Sequence, residues 1–376
     1  MPVFPAMAAC HKILMAGVVP PPVHGQSLAT RALFDADLAP LEKALLEIRS
    51  SNELGEVGKA SLKKGLGLIS IVARGFRLRF KSGARVLYYT PGSAAMVPFV
   101  RDVIFLGLCR PLFRRTVLHY HSGGLPEFLN ASPLKSFLGR WIYGRGAWAV
   151  CLSKHAAVPG KDFGAEREFE IANGLDVSPL PAENREGDAF QVLFVGNLYE
   201  DKGVLDLVTA CKSAAARIDR SVRLRLVGKW PDEGTRAKFE ALVADLPANL
   251  TIDPPAPAYG DDKWQAFAGA DVFGFPSYYR AENFPLVLIE AMACGLPVAA
   301  YAWRGAPSIV EEGGSGFLVQ PHDTDALADR LVELAANPDL RNRMGARGRD
   351  IYEQRLTLSA HLDAMRTVLV EACEAP

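Results

Sequence analysis

No run of 18 apolar residues occurs among the 376 residues, so no segment is expected to cross a bilayer as a helix. The best apolar stretch, 103–109, is short and bracketed by Arg101-Asp102 and Arg110. The start, Met1-Pro2-Val3-Phe4-Pro5, has no basic residue and no clean apolar core, so it reads poorly as a signal peptide. Cysteine is sparse. The six are scattered, with no Cys-x-x-Cys pair and no local Cys/His cluster, which argues against a disulfide scaffold and a structural zinc. Free thiols without an export signal point to the cytoplasm. There is no net charge: Lys+Arg 42 balances Asp+Glu 42, so no nucleic-acid partner is expected. No Gly-x-x-x-x-Gly-Lys-Ser/Thr loop exists, and no Gly-x-Gly-x-x-Gly follows either opening strand, so no dinucleotide cofactor is expected.

What remains is ordinary globular composition, with 49% apolar and 22% charged residues and length for two or three domains. The charge balance hides an asymmetry. Residues 1–180 hold 22 basic and 13 acidic side chains, and 181–376 hold 20 and 29. Two halves of opposite sign suggest two domains with different partners. Between them, 178–188 is polar and proline-containing without periodicity, and reads as a linker. Each half opens on a short apolar run, 13–19 and 190–196, of the kind that forms parallel strands covered on both faces. Further runs at 86–89, 117–120, 224–227 and 272–275 alternate with helical segments at 204–216, 235–246 and 324–336. Strand and helix alternating in both halves predicts an α/β protein of two doubly wound domains. The final helix, 357–372, has no obvious place in the second sheet.

The segment with most chemistry is 281–298. Phe275-Pro276-Ser277 ends a strand, Pro285 suits a first helical turn, and Gly295 with Pro297 ends the helix. Glu282 then lies before the helix and Glu290 inside it, about 12 Å along the chain at helical rise. Free backbone N–H groups of Asn283, Phe284 and Leu286, on either side of Pro285, make an anion site at a helix N-terminus. A carboxylate beside such a site fits a ligand that also carries hydroxyls, as a sugar does. Taken singly, each glutamate is also an ordinary first-turn or solvated helix residue.

Two glutamates with seven residues between them, within E-N-F-P-L-V-L-I-E-A-M-A-C-G-L-P-V, resemble the signature of the retaining glycosyltransferases of GT-B fold, family four. Four further stretches resemble that family in the same order: the glycine loop 20–27, Asn173-Gly174-Leu175-Asp176, the donor-phosphate loop 194–203, and the late turn 313–319. The resemblance implies two Rossmann-like domains facing across a cleft. Domain 1–178 would bind a glycan or lipid-linked acceptor, and domain 189–354 a nucleotide-sugar donor, with a helix over 355–376 packing back on the first. It further implies transfer with retention, no metal and no cofactor beyond the donor. Lys202 would stabilise the departing diphosphate, Glu282 contact the sugar and Glu290 the ribose. Gly25, Gly196 and Asn197 would line the phosphates, and His121 would stand in the cleft as a third catalytic residue. The family's usual Arg at 197 is Asn here, which throws more weight on Lys202 or on Arg304. Its usual Gly at 283 and Glu at 308 are Asn283 and Ser308.

Alternation along the strand puts His119 and His121 on one face, and either also fits a satisfied core histidine. The Asp-x-Asp pairs at 35–37 and 323–325 lie in and before helices rather than at strand ends, so no metal role is assigned. Between 57 and 101 there is no acid but nine bases: Lys59, Lys63, Lys64, Arg74, Arg77, Arg79, Lys81, Arg85 and Arg101. Lys63, Arg74, Arg77 and Lys81 share a helical face, which fits an anionic membrane surface or an ordinary solvated face, with Gly65, Gly67 and Gly75 weakening the helix. The setting expected is bacterial polysaccharide or glycolipid assembly on the inner face of the membrane. A nucleotide-sugar 2-epimerase of similar shape and a non-catalytic nucleotide-sugar binder are the alternatives.

Overall fold

The computed structural model describes residues 11–21, 25–48, 62–155, 158–177 and 187–375, and for 62–66 the backbone alone. Most of the expected linker, the 22–24 part of the glycine loop, and Lys59 lie outside the described residues. The chain divides into two units: residues 1–173 with 359–376, and residues 174–358.

The first unit opens with β1 (His11–Val18), whose alternate side chains point into two cores. Leu14 and Ala16 enter one, Ile13 and Met15 the other, which is why the strand is apolar at nearly every position. There follow α1 (Gly25–Asp35), β2 (Leu41–Ile48), α2 (Leu62–Ser82), β3 (Val86–Tyr89), α3 (Met96–Cys109), β4 (Arg115–Tyr120), α4 (Leu125–Asn130), α5 (Pro133–Tyr143), β5 (Trp148–Cys151) and β6 (Arg167–Glu170). The six strands are all parallel, in the order β2-β1-β3-β4-β5-β6. Helices α2, α3 and α5 cover one face of this sheet.

That covering layer is tied down by Asp102 on α3. Its fully buried carboxylate accepts from Tyr89 Oη (2.7 Å), Tyr143 Oη (2.9 Å), the Gly92 amide (2.7 Å) and Arg101 (2.8 Å). Arg101 is therefore not one of the outward bases. Arg79 also turns inward, donating to the Leu112 carbonyl at 2.9 Å. The other side chains of the basic face that are described, Arg74, Arg77 and Lys81, are exposed. Three glycines did not prevent α2. Gly75 sits against the Phe105 ring and the Cys109 sulfur, so its missing side chain permits the packing of α2 on α3 that holds the helix.

The second unit contains β7 (Phe190–Val195), α6 (Val204–Ala215), β8 (Val222–Val227), α7 (Glu233–Leu242), β9 (Leu250–Ile252), α8 (Asp261–Ala268), β10 (Val272–Phe275), α9 (Leu286–Ala293), β11 (Val298–Tyr301), α10 (Ala306–Ile309), β12 (Gly316–Val319), α11 (Thr324–Ala336) and α12 (Pro338–Ile351). Its six parallel strands run β12-β11-β10-β7-β8-β9. The chain winds outward from β7 through β8 to β9, then returns to the other side of β7 at β10. The loops after β7 and β10 therefore meet at the switch point, where open parallel sheets hold ligands.

The last helix, α13 (Leu358–Glu374), belongs almost wholly to the first unit. Its stripe His361, Met365, Val368, Leu369 and Ala372 is buried, and Met365, Val368, Leu369 and Ala372 join the core beneath β1 and β3. The His361 ring nitrogen Nδ1 lies 2.8 Å from the Ala172 carbonyl.

Candidate active site

The loop after β7 ends in a tight turn, Glu200–Lys202, and Gly203. Gly203 takes a left-handed conformation, φ +79°, and a Cβ there would fall 1.9 Å from the Pro276 carbonyl oxygen. Only glycine lets the turn rest directly on the end of β10. The Tyr278 amide donates to the Asp201 carbonyl at 2.9 Å and continues that contact. By this docking Lys202 reaches the loop before α9, and its Nζ donates to the Glu282 carboxylate. The ammonium also lies 4.8 Å from the Tyr279 ring centroid, within cation–π range. Tyr279 in turn faces Tyr199 with nearly parallel rings, 6.4 Å apart.

Two residues that the sequence reading gave separate roles are thus direct partners across 80 positions of chain. Both side chains are more than four-fifths buried, so solvent screens the pair only weakly. The pair balances its own charge, with the ammonium and the carboxylate held at the mouth of the switch point.

Glu290 is reached one helix further on. Its Oε1 accepts from Lys263 Nζ of α8 at 2.6 Å, while Oε2 is buried and accepts from nothing among the described residues. Burial raises the Glu290 carboxyl above its usual range, and Lys263 opposes the rise. An acceptor oxygen buried without a donor costs free energy unless a ligand supplies one. Lys263 has no signature in the sequence, because it stands 27 residues before Glu290 on another helix. Tyr279, Tyr199 and Trp303, whose indole donates to the Tyr279 carbonyl at 2.9 Å, were likewise not legible.

The helix start differs slightly from expectation. Pro285 is the extended residue before α9, not its first turn, so the leading amides are those of Leu286 and Val287. Asn283 and Phe284 are buried. Asn283 needs no left-handed backbone, since among the described residues Arg145, Arg304 and His322 are the non-glycine residues of positive φ. Gly305 explains how the loop is held: a Cβ there would lie 2.0 Å from the Asn283 carbonyl oxygen. Gly196 donates its amide to Val227 at 2.9 Å, and Asn197 is exposed. Arg304 stacks its guanidinium 5.3 Å from the Trp303 ring centre. An open pocket beyond the same turn is lined by Glu200, Asp201 and Asp232 as well as Tyr278, and three carboxylates make it a poor place for a diphosphate.

In the first unit Gly25 begins α1, and His121 follows β4, nearly buried. The His121 and His119 ring centres are 4.1 Å apart. His119 is a core histidine: Tyr88 Oη lies 2.9 Å from its Nδ1. Burial first, then the nearby His121 and His361, hold its pKa well below the ordinary value, so it is neutral at pH 7. Of the Asp-x-Asp pairs, Asp35 pairs with Arg31 at 3.1 Å, Asp37 accepts from the Ala39 amide, and Asp323 caps α11.

Residues 180–351 match the family model described as glycosyl transferases group 1. The match covers slightly less than half of the chain. The matched segment contains Lys202, Lys263, Glu282 and Glu290 together. A D-inositol 3-phosphate glycosyltransferase of Saccharomonospora viridis is 33% identical over 223 residues, 58% of this chain and 50% of its own length. The chain thus spans about half the length of the relatives it matches. Two solved structures are similar at a TM-score of 0.71. Sucrose-phosphate synthase from Thermosynechococcus elongatus is 20% identical, with 97% of this chain and all of that one covered. Anabaena HepE in complex with UDP is 19% identical, with 96% and 100% covered. The fold is that of the GT-B glycosyltransferases.

Proposed function

We propose that the chain is a retaining, metal-independent glycosyltransferase that moves a sugar from a nucleoside-diphosphate sugar to a glycan or lipid-linked acceptor in bacterial glycoconjugate assembly. The observation that carries this reading is the meeting of Lys202 and Glu282 at the switch point of the second sheet, with an unsatisfied Glu290 oxygen on the adjoining helix. Lys202 and the Leu286 and Val287 amides supply positive field to a diphosphate without an ion. Glu282 accepts hydrogen bonds from the sugar's hydroxyls, and Glu290 Oε2 from those of the ribose. As the diphosphate leaves, Lys202 shifts its charge from Glu282 toward the departing oxygen. The bond from the anomeric carbon to that oxygen breaks. The bond to the acceptor hydroxyl forms on the same face, and the hydroxyl proton departs with the diphosphate. Gly25 and His121 take the phosphate-lining and catalytic roles that the family resemblance gives them in the first unit. Donor binding needs no further cofactor. Attachment to an anionic membrane surface runs through the exposed bases of α2, on the inner side of the membrane.

The epimerase alternative is set aside, because the matching family and the relative named for its reaction are glycosyltransferases. A thermal-shift screen over nucleotide sugars identifies the donor, since a ligand at 100 times its Kd adds about 2.7 kcal/mol of apparent stability. The selected donor, labelled in its sugar, is then incubated alone and with lipid extracts. Slow hydrolysis alone and transfer with acceptor support the proposal. Epimerised donor, or no turnover of any kind, overturns it.

A further inference from the structure

The helical layer on the first sheet has an outer surface that the reaction does not use. Along α3, Val97, Val100, Ile104 and Leu108 follow one another at spacings of three and four and are 37–53% exposed. On α5, Leu134 (66%), Phe137 (68%) and Trp141 (38%) repeat the same spacing. The two stripes are neighbours. A Cβ on Gly107 of α3 would lie 2.8 Å from the Trp141 ring, so the indole closes the gap between the helices. The result is a continuous apolar ridge seven side chains strong, which a soluble surface rarely carries without a partner.

The charges around the ridge identify that partner. Beside α3 runs α2 with exposed Arg74, Arg77 and Lys81, and Lys135 stands on α5. Across all three helices the only carboxylate is Asp102, and it is fully buried against Tyr89, Tyr143 and Arg101. Glu127 and Asp162 lie on neighbouring segments outside the three helices. An outward surface of cations and hydrocarbon, with no outward acid from its own helices, matches an anionic bilayer, where negative headgroups lie directly above acyl chains. A second copy of this chain is a poor match, because a two-fold contact brings the same cationic rim against itself.

We infer that the α3–α5 ridge inserts into the interfacial zone of an anionic lipid bilayer, with Phe137 and Trp141 as its anchors and the α2 bases on the headgroups. This rests on the proposed attachment through α2 and adds to it an apolar component that salt does not remove. Attraction by the bases alone fades as the Debye length falls from about 10 Å at 0.1 M to about 3 Å at 1 M salt, whereas apolar burial persists.

The test is co-sedimentation of the full chain with vesicles of phosphatidylserine and phosphatidylcholine at low and high salt. Wild type is expected to bind at low salt and to keep a bound fraction at high salt. The Leu134→Gln/Phe137→Gln variant is expected to lose the salt-resistant binding by roughly tenfold to a hundredfold, from two large side chains left in water. The Arg74→Gln/Arg77→Gln/Lys81→Gln variant is expected to lose the salt-sensitive part. As a check that does not depend on the fold of a double variant, brominated lipid should quench wild-type fluorescence more than that of Trp141→Phe. If high salt releases wild type completely, or the Leu134/Phe137 variant keeps its salt-resistant fraction, the ridge inference fails while attachment by the bases stands. If wild type stays in solution at low salt, both fail. If the protein is instead a stable dimer that the Leu134/Phe137 variant splits, the ridge is a protein interface and the inference is overturned.

Discussion

Replacing Glu290 by Gln tests the donor site most sharply, because the structure gives its two oxygens different duties. Oε1 is held by Lys263 at 2.6 Å, and Oε2 is buried and open. An amide keeps the shape but loses the charge, and a charge-assisted hydrogen bond is worth about 1.5–3 kcal/mol. Free nucleoside diphosphate should therefore bind some ten- to a hundredfold more weakly. Lys263→Met gives the companion result. Burial raises the Glu290 carboxyl and Lys263 lowers it, so without Lys263 the carboxyl rises further and takes up a proton at higher pH. The sign follows: as pH is lowered, the affinity of the Lys263→Met variant should begin to fall at a higher pH than that of wild type. Calorimetric titration with the diphosphate of the selected donor, across a pH series, reads both effects. Wild-type affinity in Glu290→Gln would refute the ribose assignment. A pH profile in Lys263→Met that parallels wild type would show that Lys263 does not set the ionisation of Glu290.

Lys202→Ala is expected to lower turnover by roughly 10²–10³-fold, the loss of one electrostatic stabiliser, and near-normal turnover would place the diphosphate elsewhere. Glu282→Ala should abolish most sugar transfer yet bind free diphosphate at least as tightly as wild type, because it releases the Lys202 ammonium from its partner; weakened diphosphate binding in calorimetry would contradict this. Activity should survive EDTA, and loss restored by magnesium or manganese would overturn the metal-free mechanism. Gly203→Ala should cost more than about 2 kcal/mol in denaturant unfolding, since a methyl group meets the Pro276 carbonyl in a left-handed turn; an unchanged midpoint would mean that the turn is free to move.

The strands that sequence alone located are those whose side chains are buried on both sides. The runs at 86–89 and 272–275 coincide with β3 and β10, because a strand covered on two faces has to be apolar throughout. Edge strand β2 was not legible. Leu41–Ile48 alternates charged residues with Ala and Leu, a helix-forming composition, and only its eight-residue pairing with β1 makes it a strand. The motif around Glu282 and Glu290 was readable because proline, glycine and helix periodicity are local signals. Lys202 facing Glu282, and Lys263 facing Glu290, were not, since each pair joins different elements and exists only once the second sheet has reversed its winding at β7 and β10.

The basic stretch shows the same division. Sequence determined that no acid accompanies nine bases between 57 and 101. Tertiary structure decided that Arg79 and Arg101 turn inward, to the Leu112 carbonyl and the buried Asp102, and that Arg74, Arg77 and Lys81 face water. It also decided that the apolar stripes of α3 and α5, indistinguishable in sequence from core faces, lie side by side on the outside. A helical period says which residues share a face, and only the packing of that helix against its neighbours says which face is buried.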